Sequence, residues 1–204
     1  MRILLLIITF LTFFSCNKSN DDSKKIVYLD NQHDIINFNY KFKNSIASEL
    51  NSLALKKVEE NNNFEAKKLF EKAYKIENDN VVLINNLALV NVRLNQKNNV
   101  EELYKKAFLV DSNYIGSYIN YGDFLNIHSR FDEANKILLK GLDKNPTNQQ
   151  KTSLYFNLSL IMGKQKQYEF ALEYAHYALD NSQNENQKKE INYLIEFIKR
   201  KMQK

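Results

Sequence analysis

Between Ser45 and Tyr74, apolar residues recur on a helical period and short polar runs break them. Ile46, Leu50, Leu53, Ala54 and Val58 mark one stripe, Asn61-Asn62-Asn63 interrupts it, and Ala66, Leu69, Phe70, Ala73 and Tyr74 mark a second. Two such stripes across a short polar turn predict a helical hairpin, whose apolar faces one pair alone cannot bury. Upstream, Ile36 to Phe42 alternates apolar and polar positions. Residues 26–44 therefore read as a leader, and the pattern leaves a strand and a packed segment equally open.

The hairpin pattern then repeats. Phe70-Glu71-Lys72-Ala73-Tyr74, Tyr104-Lys105-Lys106-Ala107-Phe108 and Leu138-Leu139-Lys140-Gly141-Leu142 place small residues at 73, 107 and 141, a spacing of 34. Asn86-Leu87-Ala88 and Asn120-Tyr121-Gly122 keep that interval. Asn157-Leu158-Ser159 follows after 37, with three extra residues near Gln149-Gln150-Lys151. Small residues at Ala54, Ala88, Gly122 and Ser159 predict close helix approach, with Leu53, Leu87, Tyr121 and Leu158 filling the space between helices. From Asn186 to Lys204, Ile191, Leu194, Ile195, Ile198 and Met202 form a single-face stripe among Lys and Arg, as expected of a helix that caps a repeat array.

On these residues the chain resembles the tetratricopeptide repeat (TPR) family. The best matches are Tyr121-Gly122, Phe131-Asp132-Glu133-Ala134, Gly141-Leu142 and Asn145-Pro146 in one unit, and Tyr168, Ala171 and Ala178-Leu179 in the next. The resemblance implies an all-α protein, an α-solenoid of about four helical hairpins within residues 45–185 and a C-terminal capping helix over 186–204. The units are 47–80, 81–114, 115–148 and 152–185. Three departures bear on packing. Lys57 stands where a large apolar residue is usual, Phe64 and Ala66 are one residue too close, and Val100 replaces a small Ala.

The N-terminus carries a different pattern. Met1 and Arg2 precede twelve residues, Ile3 to Phe14, interrupted only by Thr9 and Thr12. As a helix they reach roughly 18 Å, short of a hydrocarbon core of roughly 30 Å, so residues 1–15 read as an export signal rather than a permanent span. Phe13-Phe14-Ser15-Cys16 resembles the lipobox of bacterial lipoproteins, with Phe13 in place of the usual Leu. That resemblance implies cleavage before Cys16, lipidation of its sulfur and anchoring in the membrane, with residues 16–25 as a polar tether. Asn17 is not the Asp of an inner-membrane retention signal, which by resemblance favours the outer membrane, periplasmic or surface-facing. Asp21-Asp22 also resembles surface-export signals.

Composition removes most chemistry. The chain has 204 residues, one Pro, four Gly and a formal charge of +5, enough for one domain with long helices. A single Cys cannot form an intramolecular disulfide, and His33, His128 and His176 are too scattered for a multi-ligand metal site. The glycines stand singly, so no loop cradles a phosphate, and no serine sits in a nucleophile elbow. Glu59-Glu60, Glu101-Glu102 and Asp132-Glu133 lie at turns or helix starts, where solvation or the helix dipole explains them. Neither an enzyme nor a cofactor is expected. The basic residues follow no single stripe, so nucleic acid is not expected either.

What the TPR resemblance implies is binding along a concave face lined by the first helix of each hairpin. Carried over residue by residue, that face comprises Asn51, Leu55 and Val58; Asn85, Asn86, Leu89 and Val92; Ile119, Asn120, Asp123 and Asn126; and Phe156, Asn157 and Leu160. The series Asn86, Asn120 and Asn157 resembles an asparagine ladder, whose amides can donate to and accept from a peptide backbone. A carboxylate clamp is not expected, because Leu55, Val58, Gly116 and Asn120 occupy several of its places. The function expected is a membrane-anchored protein-interaction scaffold of the bacterial cell envelope, with a protein or peptide partner in the groove. The alternative is a surface lipoprotein that captures glycan or nutrient; the absence of Trp weighs against it, and twelve Tyr keep it open.

Overall fold

The computed structural model describes residues 42–96 and 99–203. The signal, Cys16, the tether and the leader up to residue 41 lie outside the described residues, as does His33. Among the described residues the chain forms nine helices and no strand: α1 (Ser45–Glu59), α2 (Asn63–Ile76), α3 (Val81–Arg93), α4 (Val100–Val110), α5 (Ile115–Ile127), α6 (Phe131–Leu142), α7 (Asn148–Lys164), α8 (Tyr168–Asn181) and α9 (Glu185–Met202). None is long and apolar enough to cross a membrane.

The helices pair as α1–α2, α3–α4, α5–α6 and α7–α8, each second helix packs on the next first helix, and α9 packs on α8. This is the expected α-solenoid of four hairpins with a terminal cap. The first helices also touch one another, α3 against α5 and α5 against α7, and so make up the inner layer. On α9, Ile191, Leu194, Ile195 and Ile198 are buried as expected of a cap, while Met202 is exposed.

Local chemistry sets the helix boundaries. Asn44, Asn62, Asn80 and Asn184 accept backbone N–H bonds at the starts of α1, α2, α3 and α9, and Thr147 with Gln150 forms a capping box on α7. The first helices all stop in the same way. Asn61, Asn95, Ser129 and Lys166 take positive φ of 58°, 54°, 59° and 62°. The next residue's N–H reaches back to the carbonyl five positions earlier: Asn62 to Lys57, Gln96 to Asn91, Arg130 to Leu125 and Gln167 to Met162, at 2.8–2.9 Å. These are Schellman ends, and they keep the same 34, 34, 37 interval as the small residues. The three extra residues become part of a longer α7, which begins at Asn148 and runs for 17 residues.

Small residues do what their spacing predicts. A Cβ on Gly122 would lie 2.6 Å from Leu138 Cδ2, and one on Gly141 would lie 2.9 Å from both Leu154 Cδ2 and Tyr118 Cβ. Ser159 donates its hydroxyl to the Ala171 carbonyl at 2.7 Å, joining α7 to α8. Ala54 and Ala88 are fully buried. Two expectations need correction. Leu87, Tyr121 and Leu158 are buried as expected, but Leu53 is 46% exposed, because among the described residues no hairpin packs on that face of α1. Val100, expected to loosen the second unit, is fully buried within the main apolar cluster. The short Phe64–Ala66 spacing does have a consequence: Ala66 is buried, and Phe64, rotated away by one residue, is 58% exposed with the Lys68 ammonium 4.7 Å from its ring.

The chain enters α1 through a buried carboxylate. Glu77, in the turn between α2 and α3, accepts the Lys43 N–H at 3.1 Å, the Asn44 N–H at 3.2 Å and the Asn80 side-chain amide at 2.8 Å. Phe42 packs against the apolar cluster of the first hairpin. The last residues of the leader are thereby fixed to the array.

Candidate partner-binding face

The fourteen positions expected to line the groove all lie on the inner-layer helices α1, α3, α5 and α7. Their exposure differs from the expectation. Leu55, Val92 and Asp123 are half-buried; Asn51, Val58, Asn85, Asn86, Leu89, Ile119, Asn120, Asn126, Phe156, Asn157 and Leu160 are buried. Leu89 is 7% exposed and Leu160 9%, so neither stands open to solvent as an apolar anchor. Leu89 lies with Val58, Phe70 and Val90 around a void too small for water, between α1, α2 and α3. Ile119, Phe156 and Leu160 belong to the large cluster that runs from Ala88 to Ile198. The repeat register places these positions on the inner-layer helices, where the apolar ones pack rather than project.

The polar positions behave differently. Asn86 donates its side-chain amide to the Asn51 side-chain oxygen Oδ1 at 3.0 Å, a rung between α3 and α1. One unit further on, Asn120 stands to Asn85 as Asn86 stands to Asn51, with the same 35-residue separation. No hydrogen bond joins them. Both side-chain oxygens and both nitrogens are buried without a partner. In the third unit the corresponding pair is Ile119 with Asn157, and an apolar residue ends the series. Of the expected ladder, then, one rung is joined by a single hydrogen bond with the Asn86 oxygen left unpaired, one stands open and one is half apolar.

Beside the open rung lies a group of charged and polar side chains. Lys164, near the end of α7, donates to the Asn126 side-chain oxygen Oδ1 at 2.9 Å, leaving the Asn126 Nδ2 buried and unpaired. Asp123 has one carboxylate oxygen buried without a partner. Burial pushes its carboxyl up to about 6, against the opposing pull of Lys164 and Arg93. Ser117 Oγ on α5 and Tyr104 Oη on α4 are also buried without partners, and burial, then Asp123, holds the Tyr104 phenol well above its usual range. Sequence reasoning assigned no role to Lys164, Ser117 or Tyr104. Lys164 had a signal: it lies seven residues beyond Asn157, two turns further along the same helix face.

A cleft of about 840 Å³, not anticipated, lies between α2, α3 and α4, lined by Lys67, Tyr74, Asn91, Gln96 and Lys106 among others. Several of its polar groups already have partners. Lys106 donates to the Tyr74 hydroxyl at 2.6 Å, Asn91 donates to the Leu87 carbonyl at 2.8 Å, and Lys67 donates to Gln96. Among the described residues no group of three or more His, Cys, Asp or Glu is placed to hold a metal ion.

The architecture is shared with solved structures. PilF of Pseudomonas aeruginosa aligns at a TM-score of 0.69 and 23% identity, over 78% of this chain and 70% of that one. A MamA RS-1 ArsTM double mutant aligns at 0.56 and 12% identity, over 79% of this chain and 98% of that one. A second MamA mutant aligns at 0.54 and 17% identity, over 76% of this chain and 87% of that one. Both PilF and MamA are TPR-repeat proteins. The chain has a TPR-like α-solenoid fold. No family model matches the sequence, and no curated protein matches it.

Proposed function

We propose that this chain is a membrane-anchored scaffold of the bacterial cell envelope that holds a peptide or helix of a protein partner against its inner face. The observation that carries this reading is the open rung. Asn85 and Asn120 keep four hydrogen-bonding atoms unpaired at 0% and 2% exposure, so a partner reaches them only where the inner layer parts; the same pair one unit earlier shares one hydrogen bond. A side-chain amide left this way in an apolar setting is costly, and a polypeptide backbone, with donors and acceptors alternating, satisfies both of its ends. The anchor rests on the placement of Cys16 directly after the apolar run and Ser15.

Pull-down from detergent-solubilised envelope tests the face. A partner recovered by the wild type should be lost or bound at least tenfold more weakly by Asn85→Ala and Asn120→Ala, and kept by Lys67→Ala in the outer cleft. Equal recovery by all three variants would place the interface elsewhere. Metabolic labelling with a fatty-acid analogue tests the anchor, since wild type should be tagged and Cys16→Ser should not.

The glycan reading has one observation of its own. Tyr155, Tyr174 and Tyr177 cluster on α7 and α8 with ring centroids 5.3–6.4 Å apart. The two pairs that involve Tyr177 are inclined at 46° and 63° and offer no common flat platform, so this reading stands second. Retention on an oligosaccharide column that Tyr177→Ala abolishes would promote it.

A further inference from the structure

In the third unit, Tyr114, Tyr118 and Tyr121 pack α5 onto the second helix of the hairpin before it. Tyr118 and Tyr121 lie 4.8 and 6.1 Å from the Phe108 ring of α4, Tyr121 lies 5.0 Å from Tyr104, and Tyr114 shares an apolar cluster with Ala107. The corresponding residues of the second unit, Asn80, Ile84 and Leu87, are likewise buried. In the first unit the register places Ile46, Leu50 and Leu53 there. Ile46 is 57% exposed, Leu53 46% and Leu50 half-buried, and among the described residues no hairpin packs on them. The end of a repeat array needs a polar exterior or a cover. α9 has the polar exterior, with Lys189, Glu196 and Arg200 exposed on the side away from its buried isoleucines, and α1 does not.

We propose that a second copy of this chain supplies the cover, the two α1 helices meeting antiparallel about a two-fold axis. Ile46, Leu50, Leu53 and Lys57 follow the alternating four- and three-residue spacing of a coiled-coil seam, and Glu49 and Lys56 lie one heptad apart along a single flank of it. In an antiparallel pair that flank meets itself, so Glu49 of each copy faces Lys56 of the other. Both residues are exposed, and neither has a salt-bridge partner among the described residues. The opposite flank, Ala47 and Ala54, is already buried within the hairpin, so the seam opens toward the charged side alone. Leu50 of one copy then packs on Leu53 of the other, and Ile46 packs on the alkyl stem of Lys57, whose ammonium reaches Glu60 at 2.6 Å. That accounts for a lysine where the repeat usually has a large apolar residue. Head-to-tail stacking is not matched, because the charged outward side of α9 offers no apolar stripe to α1, and a closed two-fold pair is the arrangement that remains. On the reading that partners bind the inner face, the pair presents two such faces to one partner.

Sedimentation equilibrium of the full chain in detergent tests this. Wild type should form a dimer, which Leu53→Asp should weaken at least tenfold. Glu49→Lys and Lys56→Glu, both at exposed positions, should each weaken it at least tenfold by setting like charges against each other at two places, and the double variant should return to within threefold of wild type. A monomer at every concentration, a dimer indifferent to Leu53→Asp, or a double variant as weak as the single ones would each overturn the proposal. Photocrosslinking supplies the second measurement. With benzoylphenylalanine at position 53, irradiation should join it to α1 of another copy; crosslinks to α9 of another copy, crosslinks only within one molecule, or no crosslinks would count against the pairing. Neither readout involves a partner protein. A dimer alongside a pull-down insensitive to Asn85→Ala and Asn120→Ala would sink the proposed function and spare this inference, and a monomer whose pull-down responds to both would do the reverse.

Discussion

The Asn86 side-chain amide donates to the Asn51 side-chain oxygen Oδ1 at 3.0 Å, both residues buried and 35 positions apart, and so ties the second hairpin to the first. Among the described residues no hairpin precedes the first unit and Leu53 is exposed, so this polar rung has little apolar support on that side. Asn86→Ala should leave the Asn51 oxygen buried and unpaired and lower stability by about 1–3 kcal/mol in urea denaturation. The double variant Asn51→Leu with Asn86→Leu should cost less than the two single variants added together, because no polar atom is stranded. Additive losses would show that the bond contributes nothing.

Glycines at two kinds of place should respond in opposite directions. Gly122 lies where a Cβ would meet Leu138, itself fully buried, at 2.6 Å, so Gly122→Ala should cost about 1–3 kcal/mol by overpacking. Gly163, also helical, has nothing within 4 Å of the same atom, and Gly163→Ala should add about 0.5–1 kcal/mol by limiting the unfolded chain. Thermal melts of the pair decide whether the 34-residue series of small residues reflects helix approach. A stabilised Gly122→Ala would remove that explanation.

That series was legible because close approach at Ala54, Ala88, Gly122 and Ser159 demands small side chains wherever the chain crosses itself, whatever the surroundings. The same logic gave the helices on which Leu89 and Leu160 lie but not their burial. Repeat register fixes the direction of a side chain, and burial depends on everything packed against that direction. The Schellman ends escaped notice because Asn61, Asn95, Ser129 and Lys166 have different side chains doing one backbone task, which no residue motif records. The contrast between the closed rung Asn51–Asn86 and the open pair Asn85–Asn120 was also invisible, since identical residues at identical spacing differ only in the positions of two helices.

Lys166 offers the sharpest test of those ends. It holds φ at 62°, a conformation that costs a β-carbon-bearing residue roughly 1–2 kcal/mol and a glycine nothing. Lys166 is exposed, so little packing is lost on substitution. Lys166→Gly should raise stability by about 0.5–1 kcal/mol once glycine's greater unfolded freedom is subtracted. Lys166→Val should lower it, as a branched side chain tolerates that backbone worst. A melt in which both variants match wild type would mean that α7 frays before its end is felt.

Asp123 makes a prediction about pH whose sign runs opposite to that of an ordinary salt-bridged acid. Its folded carboxyl is raised from 3.8 to about 6 by burial, with Lys164 on α7 and Arg93 on α3 opposing the shift and the Tyr104 hydroxyl on α4 nearby. Below pH 4 the group is protonated in both the folded and unfolded chain and contributes nothing to the difference. Between about 4 and 6 the unfolded chain releases the proton and the folded chain keeps it, so stability falls as pH rises, and above the folded value the loss is complete. At 1.36 kcal/mol per unit the loss is on the order of 3 kcal/mol. Asp123→Asn should therefore flatten this part of the stability curve and melt higher than wild type at pH 8, with little difference at pH 4. A variant that melts lower than wild type at pH 8 would show that Lys164 and Arg93 hold the ionised carboxylate more strongly than burial disfavours it.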